Sequence, residues 1–320
     1  MYNKEMSAKS ILVTGCAGFI GSHLTLRLLE QGHYVYGIDN FDNLVYETKI
    51  KSENCNRLFN YDNFKFKRQN VLELDVTTFS GSNIDLVINL AALPGQILSW
   101  DNFELYVQNN LLSTEKIINF MKMNKVPRII QASTSSVYGN INNGDENFTT
   151  SPISPYGITK LASEHLIRSF SHINQFSYQI LRFFSVYGPN QRKDMAFAKF
   201  IRAISRNEEI YLTGDGNQIR DFTYVDDVSN IILKMVDLNL NNETFNICSN
   251  SPIKLIESLN LIENLMNTKA KIHFRERVKG DQLITFGNNS KIKEALAYSQ
   301  FTDITKGLEN QIEYAHKFIT

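Results

Sequence analysis

The sequence predicts an α/β fold with a doubly wound parallel sheet, in which helices cover both faces of the sheet. Two observations support this prediction. Short apolar runs alternate with amphipathic helical segments through the first half of the chain. A glycine-rich turn also follows the first apolar run and opens the first helix, as at the start of sheets that bind nucleotides.

The first predicted unit contains these strands and helices in alternation. The strands are expected at residues 10–14, 34–38, 64–71, 85–90, 128–132 and 178–184, and the helices before residue 31, at 100–122 and from about 156. The run at 85–90 is continuously apolar, which is typical of a strand buried on both faces.

The pattern changes after residue 184. A helix is expected at 190–207, a short strand at 209–213 and a last helix at 304–319. The sequence therefore predicts two domains: a dinucleotide-binding domain at residues 1–184 and a smaller α/β substrate lobe at residues 185–320. Some segments of the second are expected to be interleaved with the first.

Composition restricts the possible partners. The 320 residues include 33 basic and 33 acidic side chains, so a basic face for nucleic acid or for an anionic membrane is not expected. We see neither an apolar stretch long enough for a membrane span nor a secretory signal. The three cysteines form no C-x-x-C pair, which favours a reduced cytoplasm and indicates no metal site or disulfide framework.

The glycine-rich turn has the pattern G-x-x-G-x-x-G, formed by Gly15, Gly18 and Gly21. Glycines permit a tight turn and close backbone approach, and a helix N-terminus favours a pyrophosphate. Asp39 ends the next predicted strand, 18 residues after Gly21. A carboxylate there can accept hydrogen bonds from the adenosine ribose and would repel a 2′-phosphate, so we expect NAD rather than NADP.

A second motif, Y-x-x-x-K, is formed by Tyr156 and Lys160 at the start of a predicted helix. The spacing places both side chains on one helix face, where an ammonium would lower the pKa of the tyrosine and make it a usable base. Taken alone, the motif fits a surface Tyr–Lys pair equally well. Hydroxyl side chains at residues 133–136 follow a predicted strand and could bind a substrate alcohol or ketone.

Seven segments together carry a family resemblance. In chain order they are TGCAGFIG, ASTSSVYG, SPYGITK, LRFFSVYGP, RKDMAF, GDGNQIRDFTYVDD and KGD. They resemble the extended short-chain dehydrogenase/reductase family, which has a Rossmann fold. Within that family the sequence is most similar to NAD-dependent epimerases and dehydratases of nucleotide sugars, especially UDP-glucose and UDP-glucuronate 4-epimerases.

The resemblance implies a role for each matching residue. Tyr156 would be the catalytic base, Lys160 its partner and a ligand of the nicotinamide ribose, and Thr134 the hydroxyl that binds the sugar O4. The other expected NAD-binding residues are Gly15, Gly18, Phe19, Ile20, Gly21, Asp39, Asn40, Asn70, Val71, Leu90, Ala91, Ala92 and Asn110. The other expected substrate-binding residues are Pro94, Ser185, Arg192, Tyr211, Arg220 and Asp281, with Tyr211 near the nucleotide base and Asp281 near its ribose.

The implied reaction is a 4-epimerisation of a UDP-sugar through a transient 4-keto intermediate, with no net redox change. The main alternative is a 4,6-dehydratase, which shares the first oxidation but usually has Asp-Glu directly after the catalytic threonine. Ser135 and Ser136 occupy these positions and are poor acids and bases at neutral pH. A decarboxylase of a glucuronate and a non-catalytic NAD(H)-sensing protein are the remaining alternatives.

The loop at 93–98 departs from the resemblance, because Ile97 stands where many relatives have arginine. This loop would lie beside the hexose, so the choice among glucose, N-acetylglucosamine and glucuronate stays open. The family also implies a homodimer, formed by a helix bundle from residues 100–122 and the helix after Tyr156. The expected partner is therefore a UDP-sugar and a second copy of the chain.

Overall fold

The computed structural model describes residues 7–142, 144–238, 240–277 and 282–318. Its strands are β1 (Ser10–Thr14), β2 (Tyr34–Asp39), β3 (Phe64–Arg68), β4 (Leu86–Asn89), β5 (Arg128–Thr134), β6 (Ile141–Asn142), β7 (Ser177–Phe183), β8 (Ser185–Tyr187), β9 (Glu209–Thr213), β10 (Ile219–Tyr224), β11 (Glu243–Ile247), β12 (Pro252–Lys254), β13 (Lys271–Arg275) and β14 (Ile284–Thr285).

Helices connect most of these strands. They are α1 (Phe19–Glu30), α2 (Thr48–Leu58), α3 (Leu98–Asp101), α4 (Phe103–Tyr106), α5 (Ser113–Asn124), α6 (Pro155–Asn174), α7 (Ala196–Ser205), α8 (Val225–Asp237), α9 (Leu255–Met266), α10 (Ser290–Leu296) and α11 (Ile304–Phe318). A π-helical segment, Val107–Leu112, joins α4 to α5, and short 3₁₀ turns lie at Val71–Glu73 and Ser135–Val137.

The main sheet has seven parallel strands in the order β11-β7-β5-β4-β1-β2-β3. This arrangement confirms the predicted doubly wound α/β fold. From β1 the chain builds outwards through β2 and β3, and then returns to the other side of β1 at β4. Ligands of such sheets bind beyond the carboxyl ends of the strands at this reversal, and the residues discussed below lie there.

Helices cover both faces of the main sheet, and successive residues of a strand point to opposite faces. Residues at every position of a buried strand therefore pack in an apolar core. Ile11 and Val13 of β1 pack in a core with α1 and α8 on one face, whereas Leu12 packs with α5 and α6 on the other. These side chains are inaccessible to solvent. Burial on both faces explains why the strands are continuously apolar in sequence.

The second half of the chain forms a separate apolar cluster around Tyr187, Phe197 and Phe222, between α7, α9 and α11. Its sheet has the order β12-β10-β14-β6, with β8 paired to β10, and β9 pairs with β13 apart from it. However, β11 belongs to the main sheet and α8 packs on α1, although both come after residue 184.

Two predicted helices are shorter or less regular than expected. The segment at 100–122 is interrupted at Asn102, whose φ of −134° and ψ of 38° are not helical, and it continues as a π-helix before α5. The predicted helix at 190–207 is helical only in α7, because Asn190 has a positive φ of 66° and the following residues form a turn. In the part of the chain that the structure describes, we find no helix with the length and apolarity that crossing a membrane requires.

Candidate active site

A cavity of about 510 Å³ extends along the carboxyl ends of β1, β2, β4, β5 and β7. Most of the predicted site residues line it, although they come from segments far apart in sequence. These are Gly15, Gly18, Phe19, Ile20, Gly21, Asp39, Asn40, Asn70, Val71, Leu90, Ala91, Ala92, Pro94, Thr134, Tyr156, Lys160, Ser185, Arg192 and Arg220.

The glycine-rich turn forms one end of the cavity. Gly15 has a positive φ of 70°, and a Cβ there would lie 2.9 Å from the backbone nitrogen of Ala91. A Cβ on Gly21 would overlap the carbonyl oxygen of Gly15. Gly18 precedes α1 and has no side chain to cap it, so the N–H groups of the first helical turn are left for an anion or water. The turn therefore has the shape and polarity of a pyrophosphate site.

Asp39 lies at the end of β2 beside this turn and is 5% exposed. Its carboxylate accepts hydrogen bonds from the backbone N–H groups of Phe41 at 2.9 Å and Ala17 at 3.2 Å. Lys51 of α2 adds an ion pair, with 3.2 Å between Nζ and Oδ1. These contacts fix the carboxylate where a ribose would meet it, and the lysine was not predicted as a site residue.

Thr134 and Tyr156 meet at the middle of the cavity. Thr134 ends β5, and Tyr156 lies in the first turn of α6, where the side chain of Ser154 accepts a hydrogen bond from the N–H of Gly157 and caps the helix. The Thr134 hydroxyl acts on the Tyr156 phenol and lowers its pKa. The sequence therefore brings a hydroxyl and a phenol together at the sheet edge, as the resemblance implied.

The pKa of Tyr156 differs from the sequence-based expectation. Burial raises it above the ordinary value, and the hydrogen bond from Thr134 and the positive charge of Arg192 offset only part of this rise. Lys160 is not among the groups that offset this rise, so its effect on the pKa of Tyr156 stays a prediction. Lys160 is itself desolvated, and burial lowers its pKa to about 8.

A buried ion pair fixes α6 against the sheet one turn beyond Lys160. Glu164 accepts hydrogen bonds from Arg182 of β7 at 2.8 and 3.0 Å, and from Ser133 of β5 at 2.5 Å. Glu164 is inaccessible to solvent, and its charge also favours the protonated form of Lys160. The position of Tyr156 relative to Thr134 therefore depends on the contacts that Glu164 of α6 makes with Arg182 of β7 and Ser133 of β5.

The opposite end of the cavity is formed by side chains from several separate segments. Gln96 of the 93–98 loop donates to Ser136 Oγ at 3.1 Å and to Gln282 Oε1 at 2.9 Å. Tyr106 is fully buried and donates to the carbonyl oxygen of Gly95 at 2.7 Å, which orients the loop. Its ring also lies edge-on to the ring of Tyr156.

Two of the predicted site residues that the structure describes do not line the cavity. Asn110 is buried in the π-helical segment, where its side-chain oxygen accepts from the N–H of Leu93 at 2.8 Å and its amide nitrogen donates to Leu93 and Thr159. It therefore supports a cavity-lining loop rather than facing a cofactor. Tyr211 is 47% exposed on β9, hydrogen-bonded to Glu209 and stacked on His273. Asp281 lies outside the described residues.

Arg192 lines the cavity but is already paired. Its guanidinium donates to both carboxylate oxygens of Asp194, at 2.9 and 2.5 Å. Arg220, the other expected ligand of the diphosphate, donates to the carbonyl oxygen of Ile219 at 2.9 Å. A diphosphate would therefore meet Arg192 while this arginine is paired with Asp194.

Sequence reasoning missed Lys51, Tyr106, Gln96 and Gln282. The departure of the 93–98 loop from the resemblance was a signal for Gln96, but nothing in the sequence linked it to a residue 186 positions later. Among the described residues no group of three or more His, Cys, Asp or Glu side chains could hold a metal ion.

The fold and the cavity define an α/β protein of the dinucleotide-binding class, with Tyr156 among the residues that line the cavity. Residues 11–248 match the family model of the NAD-dependent epimerase/dehydratase family, so the chain belongs to this family. Its cofactor is therefore NAD, and the glycine turn and Asp39 fit this dinucleotide.

Individual relatives cover almost the whole chain. A Bacillus subtilis protein described as an uncharacterized UDP-glucose epimerase is 37% identical over 308 residues, which are 95% of this chain and 97% of that one. UDP-glucuronate 4-epimerase of Thermodesulfobacterium geofontis is 33% identical and covers 96% of each chain. The structure of UDP-glucuronic acid 4-epimerase from Bacillus cereus with UDP-glucuronic acid and NAD has a TM-score of 0.92, with 35% identity over 96% of this chain and 99% of that one.

Proposed function

We propose that this protein is an NAD-dependent 4-epimerase of a UDP-sugar that works through a transient 4-keto intermediate. The observation that carries the proposal is that Thr134 and Tyr156 line the same cavity as the glycine turn, where the Thr134 hydroxyl lowers the pKa of the Tyr156 phenol. The similarity to UDP-glucose and UDP-glucuronate epimerases along nearly the full chain supports it.

In this proposal Tyr156 removes the proton from the sugar O4, and Thr134 holds that oxygen by a hydrogen bond. Bound NAD supplies reversible hydride transfer at C4. The hydrogen bond from Thr134 and the charge of Arg192 favour the phenolate, whereas burial opposes it. Lys160 lies on the same helix face and would hold the nicotinamide ribose, and its pKa of about 8 lets it exchange a proton near neutral pH.

The remaining residue roles follow from their places along the cavity. We propose that Gly15, Gly18, Gly21 and the first turn of α1 bind the pyrophosphate, and that Asp39 binds the adenosine ribose. Ser185, Arg192 and Arg220 would face the UDP-sugar from the other side. We further propose that residues 185–320 supply most of the substrate lobe, with β11 and α8 returning to the NAD-binding domain.

The cavity favours epimerisation over 4,6-dehydration. Elimination of water across C5 and C6 requires an acid and a base beside the catalytic threonine, where this chain has the buried hydroxyls of Ser135 and Ser136. Among the described lining residues the carboxylates belong to Asp39, Asp42 and Asp194. Asp39 lies at the glycine-turn end, and Asp194 is paired with Arg192.

The test is incubation of the NAD-loaded protein with UDP-glucose, UDP-N-acetylglucosamine and UDP-glucuronate, followed by NMR of the products. We expect inversion at C4 of at least one substrate. Tyr156→Phe should reduce the rate by about 10²- to 10⁴-fold, because it removes the general base. A 4-keto-6-deoxy product would favour the dehydratase instead, and unchanged turnover in the variant would exclude Tyr156 as the base.

We also propose that α3–α6 form a homodimer interface. Trp100, Phe103, Leu112 and Ile158 are large apolar side chains on these segments and are 46–52% exposed. Light scattering should show a dimer that dissociates in Leu112→Asp and Ile158→Asp. Val76→Asp, at a similarly exposed residue outside these helices, is the matched control and should remain dimeric.

The three buried free cysteines fit a reduced cytoplasm, where we propose that the protein acts.

A further inference from the structure

A buried group of polar side chains joins the glycine turn to the segment at 188–195, which connects β8 to α7. Asn54 of α2 donates to the carbonyl oxygen of Ala17 at 2.9 Å and accepts from the Asn190 amide nitrogen at 2.7 Å. The Tyr46 hydroxyl donates to the carbonyl oxygen of Asn190 at 2.9 Å. These three side chains, Tyr46, Asn54 and Asn190, are between 5% and 8% exposed and are called the junction below.

The orientation of the two amides in the junction follows from the backbone around them. A carbonyl oxygen can only accept, so Asn54 must present its nitrogen to Ala17. The Asn54 oxygen then faces Asn190, which must present its own nitrogen in return. Removal of either amide therefore leaves a buried polar group without its partner, which costs free energy.

The segment at 188–195 also forms part of the cavity wall. Three of its residues line the cavity: Arg192, Asp194 and Met195. Within the proposed substrate lobe this segment is held by Gln191, whose amide nitrogen donates to the carbonyl oxygen of Val186 at 3.0 Å and whose oxygen accepts from Gln311 at 2.8 Å. Asn190 contacts α2 instead. Two consecutive residues of one segment therefore connect the substrate lobe to the NAD-binding side.

The other end of the junction is attached to groups of the proposed NAD site. Ala17 lies within the glycine turn, and its N–H donates to the carboxylate of Asp39 at 3.2 Å. The side chain of Tyr46 lines the cavity itself. The junction is therefore a continuous set of hydrogen bonds from the glycine turn to the segment that carries Arg192.

Other contacts between the same parts of the chain are less enclosed. Lys193 Nζ is 2.6 Å from Glu47 Oε1, but these side chains are 40% and 51% exposed. A ring nitrogen of His23 also lies 3.0 Å from the carbonyl oxygen of Pro189. Because exposed ion pairs contribute little to stability, the Lys193–Glu47 pair provides a control for the buried contact.

We propose that Asn54 and Asn190 are positioning residues that hold the 188–195 segment where UDP-sugar binding requires it. Neither side chain lines the cavity, so both act through this segment and through Arg192, two residues after Asn190. The inference rests on the proposed function, which assigns Arg192 to the substrate. It adds that substrate affinity depends on a residue of α2, on the NAD-binding side of the molecule.

The first experiment compares wild type with Asn190→Gly in the NAD-loaded protein. Glycine removes the amide, keeps the carbonyl oxygen that accepts from Tyr46, and adopts the positive φ of 66° without strain. We expect the affinity for UDP, measured by calorimetry, to fall roughly tenfold, as for one buried hydrogen bond. NAD content should be unchanged, because Asn54 still holds Ala17. KM for the UDP-sugar that wild type converts should rise with little change in kcat.

Further variants test whether the two amides act as one contact. Asn54→Ala should show the same loss of UDP affinity and also a lower NAD content, because the carbonyl oxygen of Ala17 loses its donor. The double variant with Asn190→Gly should bind UDP no more weakly than Asn54→Ala alone. Asn190→Asp tolerates the positive φ but presents an oxygen to Asn54, so it should lose at least as much UDP affinity as Asn190→Gly. Glu47→Gln is the matched control and should change neither ligand.

Several results would overturn the inference. These are unchanged UDP affinity in Asn190→Gly, additive losses in the double variant, and an equal loss in Glu47→Gln. Equal losses of NAD and UDP in Asn190→Gly would show a merely structural role. In each of these cases inversion at C4 by wild type would leave the epimerase function intact. If wild type neither binds UDP nor converts a UDP-sugar, the proposed function fails and the inference fails with it.

Discussion

The two ends of the cavity are built in different ways. At the glycine-turn end, the shape of the cavity is set by the backbone. Gly15 and Gly21 have no side chains, which lets neighbouring backbone segments approach closely, and backbone N–H groups hold the carboxylate of Asp39. At the other end, the shape comes from side chains of separate segments, such as Gln96 and Gln282. A site formed by the backbone tolerates few substitutions, so its cofactor stays the same. A site formed by side chains can gain a different substrate specificity by substitution without a change of fold.

The largest effect is expected at the glycine-turn end, from Gly21→Ala. The added methyl group would overlap the carbonyl oxygen of Gly15, so α1 must move away from the turn. We expect the purified variant to retain less than one hundredth of the wild-type NAD content, measured by absorbance after denaturation, and to unfold at a lower temperature. Gly32→Ala is the control for NAD content, because no atom lies within 4 Å of the corresponding methyl position; its positive φ of 81° strains an alanine, so it should lower stability without lowering NAD content. Full NAD content in Gly21→Ala would contradict a backbone-defined site.

The same difference explains how much could be predicted from sequence. The glycine turn, Asp39 and Tyr156 were identified because each is marked within a short segment or by its spacing from a neighbouring strand. The contact between Gln96 and Gln282 depends on how two segments 186 residues apart pack, which no local pattern encodes. The extent of α7 was overestimated for a related reason, since helix propensity does not reveal that Asn190 adopts a positive φ.

The next effect concerns Lys160, which lies between the two ends. Burial lowers its pKa from 10.5 to about 8, so the unfolded chain binds this proton more tightly than the folded protein does. Lysine at this position therefore costs stability below about pH 8, and the cost declines as the pH rises towards 10.5.

Lys160→Met should accordingly raise the free energy of unfolding at pH 7 by up to about 3 kcal/mol, while reducing turnover. Urea unfolding at pH 7 and pH 10 measures the difference. Most of this difference in free energy of unfolding between the variant and wild type should be gone at pH 10, because the wild-type lysine is then largely neutral in the folded state. A variant less stable than wild type at pH 7 would contradict the desolvation argument.

Thr134→Val tests the centre of the cavity. Because the Thr134 hydroxyl lowers the pKa of Tyr156, its loss should raise that pKa and move the rising limb of the pH–rate profile to higher pH. We expect kcat to fall about tenfold or more at pH 7, with partial recovery at pH 9. Thr134→Ser keeps the hydroxyl and should retain the wild-type profile. A uniform loss at every pH would indicate that Thr134 binds the sugar without affecting the base.

The smallest effect is expected from Lys51→Met, at the glycine-turn end. The Lys51 ammonium is 3.2 Å from Asp39, so it offsets part of the repulsion between this carboxylate and a ribose 2′-phosphate. Its removal should weaken NADP binding about fivefold and change NAD binding by less than about twofold, as expected for the loss of a single charge–charge interaction. Competition between the two dinucleotides for the apoprotein measures this ratio. Equal changes for both would show that Lys51 only orients the Asp39 side chain, and the cofactor preference would then depend on the carboxylate alone.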